Sequence, residues 1–155
     1  MKFTAVDHIS YTVADLDRSI AFYSLVFEEP PFLRKVWDQE YVAVLCGYPR
    51  IVMEGAFWRL PGDNVLELLQ ILEPDGTATD PEIFNPGASH LGLVCDDVRS
   101  EFARLKAAGV DLRSDEPVVI PWGPYTGGIA CFLRDPDGNF MEIFQLPPGG
   151  PAFDG

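Results

Sequence analysis

Apolar and polar residues alternate from Val6 to Val13 and again from Ser89 to Cys95, the period of a half-buried strand. After each run the period lengthens. Leu16, Ile20, Tyr23 and Phe27 recur at helical spacing, as do Val98, Phe102, Leu105 and the small Ala108, so one amphipathic helix is predicted behind each strand. Asp15 and Asp97 stand just ahead of these stripes as N-caps able to accept from the free amides of the first turn, and Gly109 closes the second helix. Both stripes read as core faces. Short β-branched and aromatic runs broken by Gly and Pro follow each helix. They span Phe32 to Trp37, Glu40 to Leu45, Arg50 to Arg59 and Val65 to Leu72 in the first half of the chain. In the second half they span Asp111 to Ser114, Val118 to Pro121, Gly128 to Arg134 and Phe140 to Leu146.

The two halves are copies of one unit, a strand, a helix and three strands twice over. At an offset of 82, His8 falls on His90, Asp15 on Asp97, Leu16 on Val98, Ile20 on Phe102, Ala21 on Ala103 and Tyr23 on Leu105. At an offset of 75, Pro61 to Gln70 falls on Pro136 to Gln145, and the Pro, Asn, Glu and Gln of that stretch are identical. The second copy is therefore seven residues shorter between its histidine and its glutamate, a loop-sized change. Residues 1–155 form one domain on this reading, with module one at about 5–72, a connector at 73–88, module two at about 89–146 and a flexible tail at 147–155.

The repeat bears on an awkward carboxylate. In strand alternation Phe140, Glu142 and Phe144 share one face, so Glu142 points where two phenylalanines point, and Glu67 does the same beside Val65 and Leu69. An unpaired buried charge costs on the order of several kcal/mol or more, so each glutamate is either paired with a cation or holds a metal. The chain has two histidines, and both occupy the same slot at the head of the first strand of a copy. If the two sheets face a common cleft, His8, Glu67, His90 and Glu142 give an N2O2 ligand set. Such donors suit Zn, Ni, Co, Mn or Fe(II) better than a thiolate-loving ion, with two positions of a six-coordinate ion left for substrate. Tyr11 alternates onto the face opposite His8 and is assigned to the core. The stretch Pro121 to Gly128 offers Trp122 and Tyr125 as substrate contacts at the edge of the cup, or as packing aromatics of a surface turn.

Composition narrows the partners. With 155 residues and 47% apolar content the chain is one domain's worth and needs no staple. Twenty-four acidic against eleven basic residues give a net charge of −13, which disfavours nucleic acid and anionic membrane surfaces. No apolar run reaches membrane-spanning length, and the N-terminus enters strand pattern without a signal-peptide core, which sets a cytoplasmic expectation. Cys46, Cys95 and Cys131 have no CxxC spacing and read as reduced core residues.

Four motifs bring these features together: Asp7-His-Ile-Ser-Tyr-Thr-Val13, Asp15-Leu-Asp-Arg-Ser-Ile-Ala-Phe-Tyr23, Ser89-His-Leu-Gly-Leu-Val94 and Asp135-Pro-Asp-Gly-Asn-Phe-Met-Glu142. In them the chain resembles the vicinal oxygen chelate superfamily, which contains glyoxalases, methylmalonyl-CoA epimerases, extradiol dioxygenases and bleomycin-resistance proteins, from Val6 to Leu146. The resemblance implies an α+β fold of two tandem βαβββ modules forming a cupped eight-stranded mixed sheet with helices outside. It assigns the metal-ligand roles to His8, Glu67, His90 and Glu142, with one divalent ion per site. It implies a metal-dependent lyase or isomerase working through a metal-stabilised enediolate, with Glu142 or Glu67 moving the proton. A small-molecule substrate and a second copy of the chain in a homodimer are the expected partners.

Other branches of the superfamily match less closely. Epimerases usually carry glutamine where Glu67 stands. Bacterial glutathione-using glyoxalases tend to carry arginine where this chain has Thr12, which argues against glutathione. An extradiol-type dioxygenase needs a further histidine near bound oxygen, and both are already used. A fosfomycin-type thiol transferase would want a cationic cluster that the acidic composition does not offer. A non-catalytic drug- or antibiotic-binding resistance protein would use the same cup, lined by Trp58, Trp122 and Tyr125, but would have no reason to keep four ligands.

Overall fold

The computed structural model describes residues 2–153, and the chain divides into two compact units, Met1–Thr79 and Asp80–Gly155. In the first unit the order is β1 (His8–Thr12), α1 (Leu16–Phe27), β2 (Leu33–Trp37), α2 (Glu40–Cys46), β3 (Val52–Arg59) and β4 (Val65–Glu73). Its sheet runs β1-β4-β3-β2, with β1 parallel to β4 and the other pairs antiparallel. A parallel pair cannot be closed by a hairpin, so the chain must leave the sheet after β1, and α1 is the crossing.

The second unit repeats the plan with β5 (His90–Val94), α3 (Val98–Ala107), β6 (Asp111–Leu112), β7 (Val118–Val119), β8 (Ile129–Arg134) and β9 (Phe140–Gln145). β5 is parallel to β9, β9 is antiparallel to β8, and the short β6 and β7 both pair with β8. Together β6 and β7 fill the edge that β2 occupies in the first unit. Among the described residues there are thus two mixed sheets of four and five strands, in place of the eight strands expected. The α+β class and the paired modules are as the motifs implied.

The helices form where the stripes predicted them. The Asp15 side chain accepts from the Arg18 amide at 2.9 Å and that of Asp97 from the Ser100 amide at 3.0 Å, which satisfies donors of the first turn that have no partner in the helix. Leu16, Tyr23 and Val26 of α1 are buried with Leu66, Leu68 and Trp58 of the sheet, and Val98, Phe102 and Leu105 of α3 with Leu133 and Met141. Ala108 lies past the end of α3 and is exposed, so it is not part of that core. Gly109 follows at φ 79°, a left-handed conformation that stops the helix without a Cβ penalty.

One element differs in kind. Residues 40–45 were expected to form a strand from their β-branched content, yet they form helix α2, closed by Gly47 in the left-handed region with its N–H on the helix's last carbonyls. Val42 and Ala43 pack on Ile51 and Met53, with Trp37, Leu69 and Ile71 around them, so burial of one helical face outweighs strand propensity. Cys46, at the end of α2, is exposed and not the core residue expected, whereas Cys131 is buried and Cys95 intermediate. The tail also differs from a free segment. The Ala152 amide donates to the Pro124 carbonyl at 2.8 Å and the Phe153 ring meets Tyr125 edge-on, while Asp154 and Gly155 lie outside the described residues. No helix among the described residues is long and apolar enough to cross a membrane.

Candidate functional site

Strand register places the four expected ligands. In the first unit His8 lies beside Val65 and Ser10 beside Glu67, so histidine and glutamate share one face of adjacent parallel strands, two residues out of step. In the second unit His90 lies beside Phe140 and Gly92 beside Glu142, the same offset. The result is the same pair twice. His8 Nε2 is 3.9 Å from Glu67 Oε2, and His90 Nε2 is 3.6 Å from Glu142 Oε2. The glutamates are mostly buried, at 18% and 24% side-chain exposure, while both histidines are about half exposed.

Neither glutamate receives a hydrogen bond among the described residues, and the separations to the histidines are too long for one. A mostly buried carboxylate without a donor calls for a cation. Two donors each about 2.1 Å from one ion lie at most about 4.2 Å apart, so each imidazole and its carboxylate stand within the span that a single divalent ion bridges. The nitrogen and oxygen donors fit such an ion in kind as well as in spacing. Each unit supplies one pair, and among the described residues no group of three or more His, Cys, Asp or Glu side chains is arranged so that it could hold a metal ion.

A further residue acts on the first pair. The Asp7 carboxylate lies 2.8 Å from His8 Nδ1, which fixes the ring so that Nε2 faces Glu67. That hydrogen bond is the main reason the His8 pKa is raised; burial opposes it and the Glu67 charge adds to it. The second unit has Ser89 in the place of Asp7, so His90 lacks a neighbouring carboxylate of this kind. The Asp-His dipeptide was the available signal for this contact.

The surroundings of the two carboxylates are aromatic. Phe57 is the cross-strand partner of Glu67, and Phe132 that of Glu142. His90 meets Phe132 edge-on at 5.3 Å, and Phe132 meets Phe140 at 6.0 Å. These phenylalanines, and not Trp58, flank the pairs. Trp58 pairs with Leu66 on the opposite face, is 2% exposed, meets Tyr23 at a tilt and Phe27 edge-on in α1, and donates its indole N–H to the Glu29 carbonyl at 3.0 Å. Its expected role as a substrate contact therefore gives way to one in the core. Counting alternation back from Glu67 through the hairpin would have found Phe57. Tyr125 meets Phe144 edge-on at 5.0 Å, two residues along the strand from Glu142, and Trp122 in the same loop is 80% exposed.

The chain is similar to known proteins over most of its length. The model of the Glyoxalase/Bleomycin resistance protein/Dioxygenase superfamily matches residues 5–143. A 2-epi-5-epi-valiolone epimerase from Actinomyces sp. is 30% identical over 95% of this chain and 82% of its own length. A probable lactoylglutathione lyase from Vibrio cholerae is 31% identical over 89% of this chain and 88% of its own. The chain also matches a probable chloroplastic lactoylglutathione lyase of Arabidopsis thaliana at 30% identity, but spans 35% of that protein's length. Among solved structures, a glyoxalase family protein from Bacillus cereus superposes with a TM-score of 0.77 at 20% identity, covering 95% of this chain and 97% of that one.

Proposed function

The chain belongs to the Glyoxalase/Bleomycin resistance protein/Dioxygenase superfamily, and from that membership we propose that it is a metal-dependent lyase or isomerase of the glyoxalase type. Its substrate on this reading is a small oxygenated acid, ketone or thioester. The observation that carries the proposal is the recurrence of one His–Glu pair at the same register in both units, with separations of 3.9 and 3.6 Å and no hydrogen bond to either carboxylate among the described residues. His8, Glu67, His90 and Glu142 would hold one divalent ion, Ni, Zn, Co, Mn or Fe(II), with one pair from each unit of the same chain or of two copies in a homodimer. When bound, such an ion supplies Lewis-acid stabilisation of negative charge developing on a substrate oxygen.

The protein's own groups do the rest. Glu142 removes the proton from the carbon beside the substrate carbonyl and returns it to a neighbouring position. Phe132, Phe140 and Phe144 share its face and limit the water that would otherwise solvate the carboxylate and weaken it as a base. Glu67, beside Phe57, has the same chemistry and is the second candidate for the base. Asp7 holds His8 in one orientation, so the first half of the site is set before ligand arrives. Relatives of this chain are named as an epimerase and as lactoylglutathione lyases, and relocation of a proton at a carbon next to a carbonyl serves both kinds of reaction. Thr12 in place of an arginine leaves glutathione out of the proposal.

The test is metal content followed by turnover. Protein purified without chelator should carry close to one divalent ion per two His–Glu pairs by elemental analysis. After chelation and dialysis it should rebind Ni, Co, Zn or Mn, and the reloaded protein is then screened with hemithioacetals, acyl-CoA epimers and catechols. Protein that binds none of the four ions would overturn the enzyme reading in favour of a ligand-binding member of the family.

A further inference from the structure

The duplication extends to an arginine whose two copies have different surroundings. At the offset of 75 that aligns the glutamates, Phe57 falls on Phe132 and Arg59 on Arg134. Both arginines end the third strand of the pairing, and their cross-strand partners are Val65 and Phe140, the residues that also lie beside His8 and His90. Each unit therefore has a row across its sheet of histidine, an apolar residue and arginine. Two strand spacings separate the ends of that row, about 10 Å of backbone. Arg59 is also diagonal to Glu67, a relation that puts Cβ atoms roughly 7–8 Å apart and within reach of a long side chain.

In the second unit the arginine is spent. Arg134 is paired with Glu82, stacks on Phe140 at 4.8 Å, and has Asp111 as its other cross-strand partner. In the first unit it is not. The Arg59 guanidinium lies 4.4 Å over the Phe32 ring, and among the described residues it has no ion pair or hydrogen bond. The residue is exposed, and Phe32 also contacts Phe57 at 6.3 Å, so the stacked cation adjoins the aromatic partner of Glu67. Three other arginines of this acidic chain are matched to carboxylates, Arg34 to Asp17 and Glu54, Arg50 to Glu73, and Arg104 to Glu101. Among the described residues Arg99 and Arg113 have no ion pair, and Arg113 lies over Phe140 at 5.7 Å, on the sheet of the second unit. A guanidinium resting over a ring without an ion-pair partner keeps its fork of N–H donors available for a planar oxyanion.

We propose that Arg59 is a specificity-determining residue that binds an anionic group of the substrate, a carboxylate or a phosphate, a few bonds from the oxygens held near His8 and Glu67. This rests on the reading of the His–Glu pairs as the reaction site. It narrows the small oxygenated substrate to one that carries a fixed negative charge at one end, against the repulsion that a net charge of −13 sets up.

The test follows the arginine Nε–Hε signals of the full chain by two-dimensional NMR, in chelator-treated protein and again with zinc added. The probes are glycolate, inorganic phosphate, neutral ethylene glycol, and sodium chloride at matched ionic strength. The Arg59 signal should move saturably with glycolate or with phosphate, and which of the two does so identifies the group. Ethylene glycol and chloride should leave it in place, as should every probe the signal of Arg99 on α3. With anion affinity measured by titration calorimetry, Arg59→Gln should weaken the interaction about ten-fold, and Arg59→Lys should restore part of it. An Arg59 signal that moves with neither anion, a response shared equally by Arg99 or produced by chloride, or unchanged binding in Arg59→Gln overturns the proposal. Zinc uptake is read separately on the His8 and His90 ring signals, so loss of the metal reading and loss of the anion site give different spectra.

Discussion

The side-chain oxygen of Gln145 accepts a hydrogen bond from the backbone N–H of Val98, the first residue of α3, at 3.3 Å. Gln70 makes the same bond to Leu16 at the head of α1, at 2.9 Å. Each glutamine lies three residues beyond a glutamate of the site and faces the other side of the strand, so one strand carries a proposed ligand on one face and a helix anchor on the other. Gln70→Ala and Gln145→Ala should each destabilise the protein by about 1 kcal/mol in urea unfolding, the worth of a helix-end hydrogen bond. Gln70→Ala should cost the more of the two because its bond is shorter. Unchanged midpoints in both variants would show that water replaces the glutamine without loss.

Glu142→Gln keeps the shape of the side chain and removes its basicity. Turnover of whichever substrate the screen identifies should fall at least about 100-fold, the usual scale of a lost general base. The circular dichroism spectrum and melting temperature should change little. If Glu142→Gln retains turnover and Glu67→Gln loses it, the base is the glutamate of the first unit.

Trp58 and Phe57 are adjacent in sequence and lie on opposite faces of β3, so their variants should separate stability from binding. Trp58→Ala should cost about 3–5 kcal/mol, because it empties a fully buried site under α1 and removes the bond to the Glu29 carbonyl. Phe57→Ala, on the face of Glu67, should weaken ligand affinity more than it lowers the unfolding midpoint. Equal effects on both quantities in both variants would contradict the assignment of faces.

Thiol chemistry offers a check on the two halves. Burial pushes the Cys131 thiol up to about 11 and also raises that of Cys95, so at pH 8 both remain mostly in the unreactive protonated form. Cys46 is exposed at the end of α2 and should react first with a disulfide reagent, with the other two released on unfolding. Raising the pH should speed the Cys131 reaction about ten-fold per unit until the pH nears that value, where the rate levels off. Fast reaction of all three at pH 8 would contradict the burial of β8.

The repeat made the histidines and glutamates legible, because a residue that recurs in the same slot is constrained by something the two copies share. The N-caps and the helical stripes were legible too, since those patterns are local. What could not be read depended on contacts distant in sequence. Gln70 is repeated in the sequence, but its partner is 54 residues away. Trp58 carries the same aromatic signal as a binding residue, and its face is fixed only by the pairing of β3 with β4. Val42 and Val44 favour a strand by propensity, and the helix they form depends on Ile51 and Met53 packing against it. The charge summary likewise hid Arg59, because net charge does not record which cations have been neutralised.

The seven residues by which the first copy is longer match in length the seven of α2. That helix lies on the Glu67 side of its sheet, over Trp37, Leu69 and Ile71, and Trp37 reaches in there because Gly55 leaves the space, a Cβ at that position falling 2.9 Å from the ring. The second copy has the short strands β6 and β7 in the corresponding stretch and no helix. A small molecule meeting the first copy finds a wall at one end that it would not find on the second. The two copies thus present the same kind of donor pair with different steric relief beside it, and a ligand shaped for one pair is not shaped for the other.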